Sequence, residues 1–436
     1  MLLHLDSIRS KVNTSKKLGN KGMTVNEIKS AGRLLNFVHK QDELWIVMDK
    51  VLEKNDRKKI IISYEGIPFE GLQIGKNKYG DRTFFSDNWP NRGRHWLATV
   101  DHPYDKAKCE FIVTAPNHYQ VISNGLKIEE TNLGANQKRT HWKQSIPIAS
   151  WLYVLGVAEF AVQYVDEFDG KSIQTWVFKQ DRDAGFYDFA EPTKKALEFY
   201  SDNIGPYSYE KLANIQSNSV SGGMEAASAI LYNGNSVKGD RNIRWRNVVI
   251  HEIAHQWFGN LVTMKWWNDL WLNESFATFM ATKIVDRFYP EWDYWDQFLD
   301  DAMNTAMSLD SLKTSHPIDV NVNHPSEIRE IFDSISYDKG GCILRMLEHF
   351  VGEKNFQKGL QKYLTKHQYD NAQGSDLWNA IGQVSKQPID KMMKTWINQV
   401  GFPLLEVKRN TSTLTLKQSR FLLEGDKNPS KKTWSI

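Results

Sequence analysis

His251–Glu274 reads HEIAHQWFGNLVTMKWWNDLWLNE, and the spacing of its polar residues decides how the chain is read. His251 and His255 stand four positions apart, Glu252 lies between them, and 18 residues separate His255 from Glu274. An α-helix turns about 100° per residue, so positions i and i+4 share one face about a turn apart. Two imidazoles can then point at one metal ion. Zinc accepts two imidazoles and one carboxylate, and keeps its fourth position for water where the site is catalytic. Glu274 is the natural third ligand. Glu252 sits on the same helix and can reach the ion's open side. The stretch reads as a hydrolytic site for one zinc ion per chain.

The alternative is that two histidines share a helix by accident. The chain has 12 histidines in 436 residues. A chance HExxH in such a sequence is on the order of one in a hundred. The surroundings weigh against chance. Asn247–Phe258 carries Val248, Val249, Ile253, Trp257 and Phe258 at the spacing of a buried helix, and Gly259-Asn260 supplies a stop signal. A second apolar run, Phe276–Phe288, predicts a helix that starts near Asn273 and presents Glu274 from its first turn.

HEIAHQWFGNLVT and WWNDLWLNES together resemble the signature of the gluzincin zinc aminopeptidases of peptidase family M1, the group that contains aminopeptidase N and the leukotriene epoxide hydrolase. Two further motifs follow in the family's order. Ser221-Gly222-Gly223-Met224-Glu225-Ala226 resembles the G-x-M-E-N exopeptidase motif, and Ile335-Ser336-Tyr337-Asp338-Lys339-Gly340 resembles the segment bearing the catalytic tyrosine. The likeness is close from about Asp166 to Val400 and looser before that. It implies a zinc metallo-aminopeptidase acting on peptides with a free N-terminus.

The chemistry assigns roles. Glu252 is not needed as a ligand, so its carboxylate can take a proton from the zinc-bound water and pass it to the leaving amine. By resemblance, the Tyr337 phenol shares the charge of the tetrahedral intermediate. By the same resemblance, Glu225 binds the substrate's α-ammonium, Gly222 and Gly223 run beside the peptide backbone, and Met224 lines the first-residue pocket. One departure stands out: Ala226 occupies the place of the family's Asn, whose side chain contacts peptide backbone or steadies the loop. Relatives place a Gln or Glu in the region of Phe84–Tyr104, where Asp87, Asn88 or Trp89 could serve here, or the loop could be structural. Competing readings are an endopeptidase or epoxide hydrolase of the same fold, and a non-catalytic scaffold. An endopeptidase would have no use for Glu225, and a scaffold no use for the full set of ligands with Glu252 and Tyr337.

Composition agrees with a globular chain of two or three domains, at 41% hydrophobic and 25% charged residues. A net charge of +3 with basic residues dispersed gives no case for nucleic acid. Short patches such as Lys54–Lys59 and Lys427–Lys432 read as solvated faces. Cys109 and Cys342 read as free, half-buried thiols. The opening MLLHLDSIRSKVNTSKK lacks the apolar core of a signal peptide, and no 18-residue apolar run exists to span a membrane. That implies a cytoplasmic protein, or a periplasmic or secreted one if the chain is a fragment of a longer exported one; separately, a monomer is expected.

The expected fold class is α+β. Residues 1–161 predict an antiparallel β domain, with strands at Glu43–Val51, Lys58–Tyr64, Cys109–Thr114, Tyr119–Ser123 and Trp151–Ala158. Residues 162–400 predict a thermolysin-like, mainly helical zinc domain. Its helices are expected at Glu191–Asn203, at the two zinc segments, and at Trp292–Leu309, Glu327–Phe332, Tyr337–Phe350 and Asn355–His367, with two short ones around Trp378 and Trp396. Residues 401–436 return to strand-like alternation over Pro403–Lys417 and could begin a third domain.

Overall fold

The computed structural model describes residues 1–8, 21–425 and 432–435. Most of the polar Lys427–Lys432 end, and the part of the opening stretch beyond Ile8, lie outside the described residues. The chain packs as two compact units, Met1–Ala190 with Tyr209–Asp240, and Glu191–Ser208 with Arg241–Ile436. The class is α+β: a β-rich N-terminal half, then a helical region, then C-terminal strands.

In the first unit the described strands before residue 160 pair antiparallel. The expected strand at 109–114 lies inside Ala107–Pro116, whose residues alternate between half-buried and exposed along most of its length. Its partner Gln137–Ile148 and the neighbouring Leu126–Gly134 were not singled out from sequence. Their runs KIEETN and QKRTHWKQ are too polar to display alternation, and Leu126–Gly134 is exposed at every position but the half-buried Thr131. The strand at Glu43–Ile46 is shorter than expected, and Trp151 falls in a single 3-10 turn before Leu155–Ala158.

The same unit holds a five-stranded mixed sheet in the order Phe160–Phe168, Lys171–Phe178, Lys211–Ser217, Ala229–Asn233, Gly223–Met224. Its three middle strands run parallel, and Lys211–Ser217 is buried at every position, as a central strand covered on both faces should be. Gly223–Met224 is the edge strand, paired through Gly223 with Tyr232 and Met224 with Leu231.

In the second unit the zinc-motif helix is Ile243–Ala254, set by Asn242, whose side chain accepts the Trp245 N–H at 2.9 Å. It stops earlier than the expected Phe258. His255 caps it, and the chain tightens through Gly259 at φ +124°, a conformation that glycine alone adopts without strain. The Glu274 helix spans Trp271–Phe288. The two pack by stacking Phe258 on Phe276 at 4.6 Å. Trp271 in turn stacks on Trp378 at 5.0 Å. The helix around Trp378 is longer than expected, Gly374–Ser385, because Gln373 and Asp376 cap it reciprocally. The stretch from Trp292 begins with Asp293 in the left-handed region. It then continues as Tyr294–Phe298, a π turn at Leu299–Met303, and Asn304–Asp310. Pro325–Ile331 is 3-10 rather than α. Pro403–Arg409 and Leu414–Arg420 form the expected C-terminal strands as one hairpin. Among the described residues no helix is long and apolar enough to cross a membrane. Cys109 and Cys342 are free and half-buried.

Candidate active site

His251 lies in the last turn of the Ile243–Ala254 helix and His255 at its cap, so one helical turn carries both imidazoles to the same point. Their Nε2 atoms stand 3.1 Å apart. Glu274 Oε2 completes a triangle, 3.6 Å from His251 Nε2 and 3.4 Å from His255 Nε2. Three donors held around a tetrahedral zinc ion at ordinary ligand distances would be about 3.3–3.6 Å apart. Two sides of the triangle fall in that range and the third, at 3.1 Å, just below it, and the donors are of the kind zinc takes.

The electronic state fits as well. The carbonyl of Phe258 lies 3.1 Å from His255 Nδ1, and a carbonyl only accepts, so Nδ1 donates to it. That leaves the Nε2 lone pair facing His251 and Glu274, the usual outer-shell arrangement behind a metal-ligating histidine. Burial lowers the pKa of His251, partly offset by Glu274, which favours the neutral imidazole a metal needs. Burial alone would raise the Glu274 carboxyl, yet the neighbouring imidazoles of His255 and His251 pull it well below the usual carboxylate range. Glu252, one residue along from His251, is buried at 6% exposure.

The Tyr337 ring lies parallel to that of His251, with centroids 6.3 Å apart. It is not at the start of an α-helix, as expected, but inside a π turn, Ile335–Lys339. Such turns are frequent at functional sites, because the extra residue re-aims a side chain. Ser275, adjacent to Glu274, donates its hydroxyl to the Ser336 carbonyl at 2.6 Å, which ties the Trp271–Phe288 helix to the Tyr337 turn. Gly340 makes this approach possible, since a Cβ there would sit 1.8 Å from Ser275 Oγ. Ser275 closes the WWNDLWLNES stretch, but nothing in the sequence marks its contact with Ser336, 61 positions away.

Gly222, Gly223, Met224 and Glu225 belong to the first unit. Met224 and Glu225 are buried, Gly222 is exposed, and Gly223 is half-buried on the edge strand. The turn after Glu225, which lacks the family's Asn, is anchored from elsewhere in that unit. Asn124 Nδ2 donates to the Ala227 carbonyl at 2.7 Å, the Gly125 N–H to Ser228 Oγ at 2.8 Å, and the buried Lys211 ammonium to the Ser228 carbonyl at 3.2 Å. In the 84–104 loop, Arg92 pairs with Asp87 at 2.5 Å, Asn88 bonds the Tyr153 carbonyl at 2.7 Å, and Trp89 packs on Trp151 at 4.2 Å. All three side chains hold the loop.

Comparison with known proteins then places the chain. Residues 189–396 match the Peptidase family M1 domain, and residues 3–152 match the Peptidase M1 N-terminal domain. The chain is 34% identical over 423 residues to the probable aminopeptidase 2 of Sulfurisphaera tokodaii, covering 94% of this chain and 53% of that protein. It is 39% identical over 370 residues to the tricorn protease-interacting factor F2 of Thermoplasma volcanium, covering 81% of this chain and 46% of the relative. The leucyl aminopeptidase of Saccharolobus solfataricus is 36% identical over 377 residues, 84% of this chain and 48% of its own length. The chain thus spans about half the length of these curated relatives.

Proposed function

The chain belongs to peptidase family M1, and from that premise we propose that it is a zinc aminopeptidase that removes the N-terminal residue of peptides. The observation that carries the reading is the triangle of His251, His255 and Glu274 donors, 3.1 to 3.6 Å on a side, with Glu252 buried on the same helix. These three residues would hold one zinc ion. When bound, zinc polarises the scissile carbonyl and brings the pKa of its water near neutrality.

The remaining work falls to the chain's own groups. Glu252 accepts the proton of the attacking water at its carboxylate and returns it to the departing amine. The Tyr337 phenol donates to the oxygen that gains charge as the carbonyl becomes tetrahedral. Glu225 binds the substrate's α-ammonium by a charge-assisted hydrogen bond, and the edge strand Gly223–Met224 offers backbone to an extended peptide. The relatives named aminopeptidases support the exopeptidase choice over an endopeptidase.

A panel of aminoacyl fluorogenic substrates, assayed with and without chelator, tests the proposal. Release of the fluorophore that chelator abolishes and zinc restores is expected. Hydrolysis indifferent to chelator would overturn the metal reading, and hydrolysis confined to internal bonds of blocked peptides would overturn the exopeptidase reading.

A further inference from the structure

We propose that His316 and Asp333 form a positioning pair for Tyr337, in which an imidazolium clamped between two acceptors holds the carboxylate that caps the tyrosine turn. The inference rests on the assignment of Tyr337 above. Asp333 Oδ1 accepts the N–H of Ile335 at 2.9 Å and of Ser336 at 3.4 Å, and its backbone carbonyl accepts the Tyr337 N–H at 3.1 Å. One residue therefore holds three of the four N–H groups that lead into and carry the phenol. Its other oxygen, Oδ2, stands 2.9 Å from His316 Nε2.

The second ring nitrogen of His316 decides the protonation state. Nδ1 lies 2.7 Å from the Pro317 carbonyl, which can only accept. A neutral imidazole has one N–H and one lone pair, so one nitrogen would face an acceptor with a lone pair. With Asp333 held as a carboxylate below its usual range, only the doubly protonated ring satisfies both contacts. Other charges near the pair are accounted for. Lys339 repels the imidazolium, but its ammonium is paired with Asp310 at 2.7 Å. Asp338 faces Asp333, and burial with that neighbour pushes its carboxyl up to about 6. Burial alone would lower the His316 pKa, and the Asp333 carboxylate with the Pro317 carbonyl outweighs it, so the pKa is raised. Burial would likewise raise Asp333, and His316 holds it below the usual range.

The sign follows. Below the raised pKa both contacts are made, and as pH climbs through it the ring loses one proton and one contact. The carboxylate then loses its restraint, and the phenol its fixed aim.

The test uses the zinc-loaded protein labelled with nitrogen-15 histidine, with His316→Gln to assign the resonance. Both ring nitrogens of His316 should be protonated near pH 6.5, with a pKa above that value that drops in Asp333→Asn. Turnover should fall on an alkaline limb at the same pKa, and that limb should vanish in His316→Gln, whose amide donates to Asp333 without titrating. Asp333→Asn, which removes the charge facing the imidazolium, should lower kcat about tenfold with KM nearly unchanged, because the tyrosine hydroxyl is used mainly in the transition state. A His316 that is neutral at pH 6.5 in the folded protein, or an alkaline limb that persists in His316→Gln, would overturn the proposal. The titration is read without catalysis. Wild-type turnover in Tyr337→Phe would instead remove the tyrosine assignment on which the pair's role depends.

Discussion

At the scale of single residues, ligand and base can be separated by substitution. His255→Ala removes one corner of the donor triangle, so metal analysis should find zinc largely lost. Glu252→Gln keeps the shape but cannot accept a proton, so zinc should stay while turnover falls roughly 10²–10⁴-fold. Tyr337→Phe should also keep zinc and lower kcat about 10²–10³-fold, with a smaller change in KM, because its hydroxyl is used mainly in the transition state. The ligand pKa directions also set a pH dependence for the metal-free protein. His251 and Glu274 both lie below their ordinary 6.5 and 4.5 in the fold. Groups with depressed folded values contribute stability above their unfolded pKa and lose it on acidification. Thermal melts of the apoprotein should weaken first as pH falls below about 6.5, through His251, and again below about 4.5, through Glu274. A melting temperature flat from pH 7 to 4 would contradict both directions.

At the scale of elements, the joint between the Trp271–Phe288 helix and the Tyr337 turn is the place to intervene. Helix propensity alone would make Gly340→Ala stabilising by up to ~1 kcal/mol. The approach of Ser275 Oγ to 1.8 Å from the added Cβ reverses that sign. Overpacking of this kind costs about 1–3 kcal/mol. Gly340→Ala should therefore melt earlier than wild type and lose turnover through the displaced tyrosine. Adding Ser275→Gly, which removes the clashing hydroxyl and its Cβ, should restore part of the stability. A stabilised Gly340→Ala would mean that the two elements do not meet closely.

At the scale of the whole molecule, Glu225 is what separates an aminopeptidase from an endopeptidase. Glu225→Ala and acetylation of the substrate's N-terminus each remove the same charge-assisted contact, typically worth ~1.5–3 kcal/mol. Applied together they should cost little more than either alone, since one contact is lost once. Measuring kcat/KM for free and acetylated peptides on both proteins reads that coupling directly. Additive losses would show that Glu225 acts elsewhere.

The His251, His255 and Glu274 donor cluster and the class of fold were both legible in the sequence, because both rest on local patterns. Four-residue spacing on a helix fixes where two imidazoles point, and the three motifs stand in order along one chain. The helix carrying Glu274 was legible for the same reason, since Phe276–Phe288 is an apolar run long enough for a helix buried on nearly every side. The polar hairpin Leu126–Ile148 was not, because Leu126–Gly134 lies exposed on both faces and buries almost nothing that would show as an apolar period. Tertiary structure alone decided how Tyr337 is aimed. Asp333 caps its π turn locally, but the turn is also tied to Ser275 by a contact spanning 61 positions and, through Asp333, to His316 by one spanning 17. No window of sequence contains such pairs, and the close approach that makes them exists only once Gly340 lets the chain pack against Ser275.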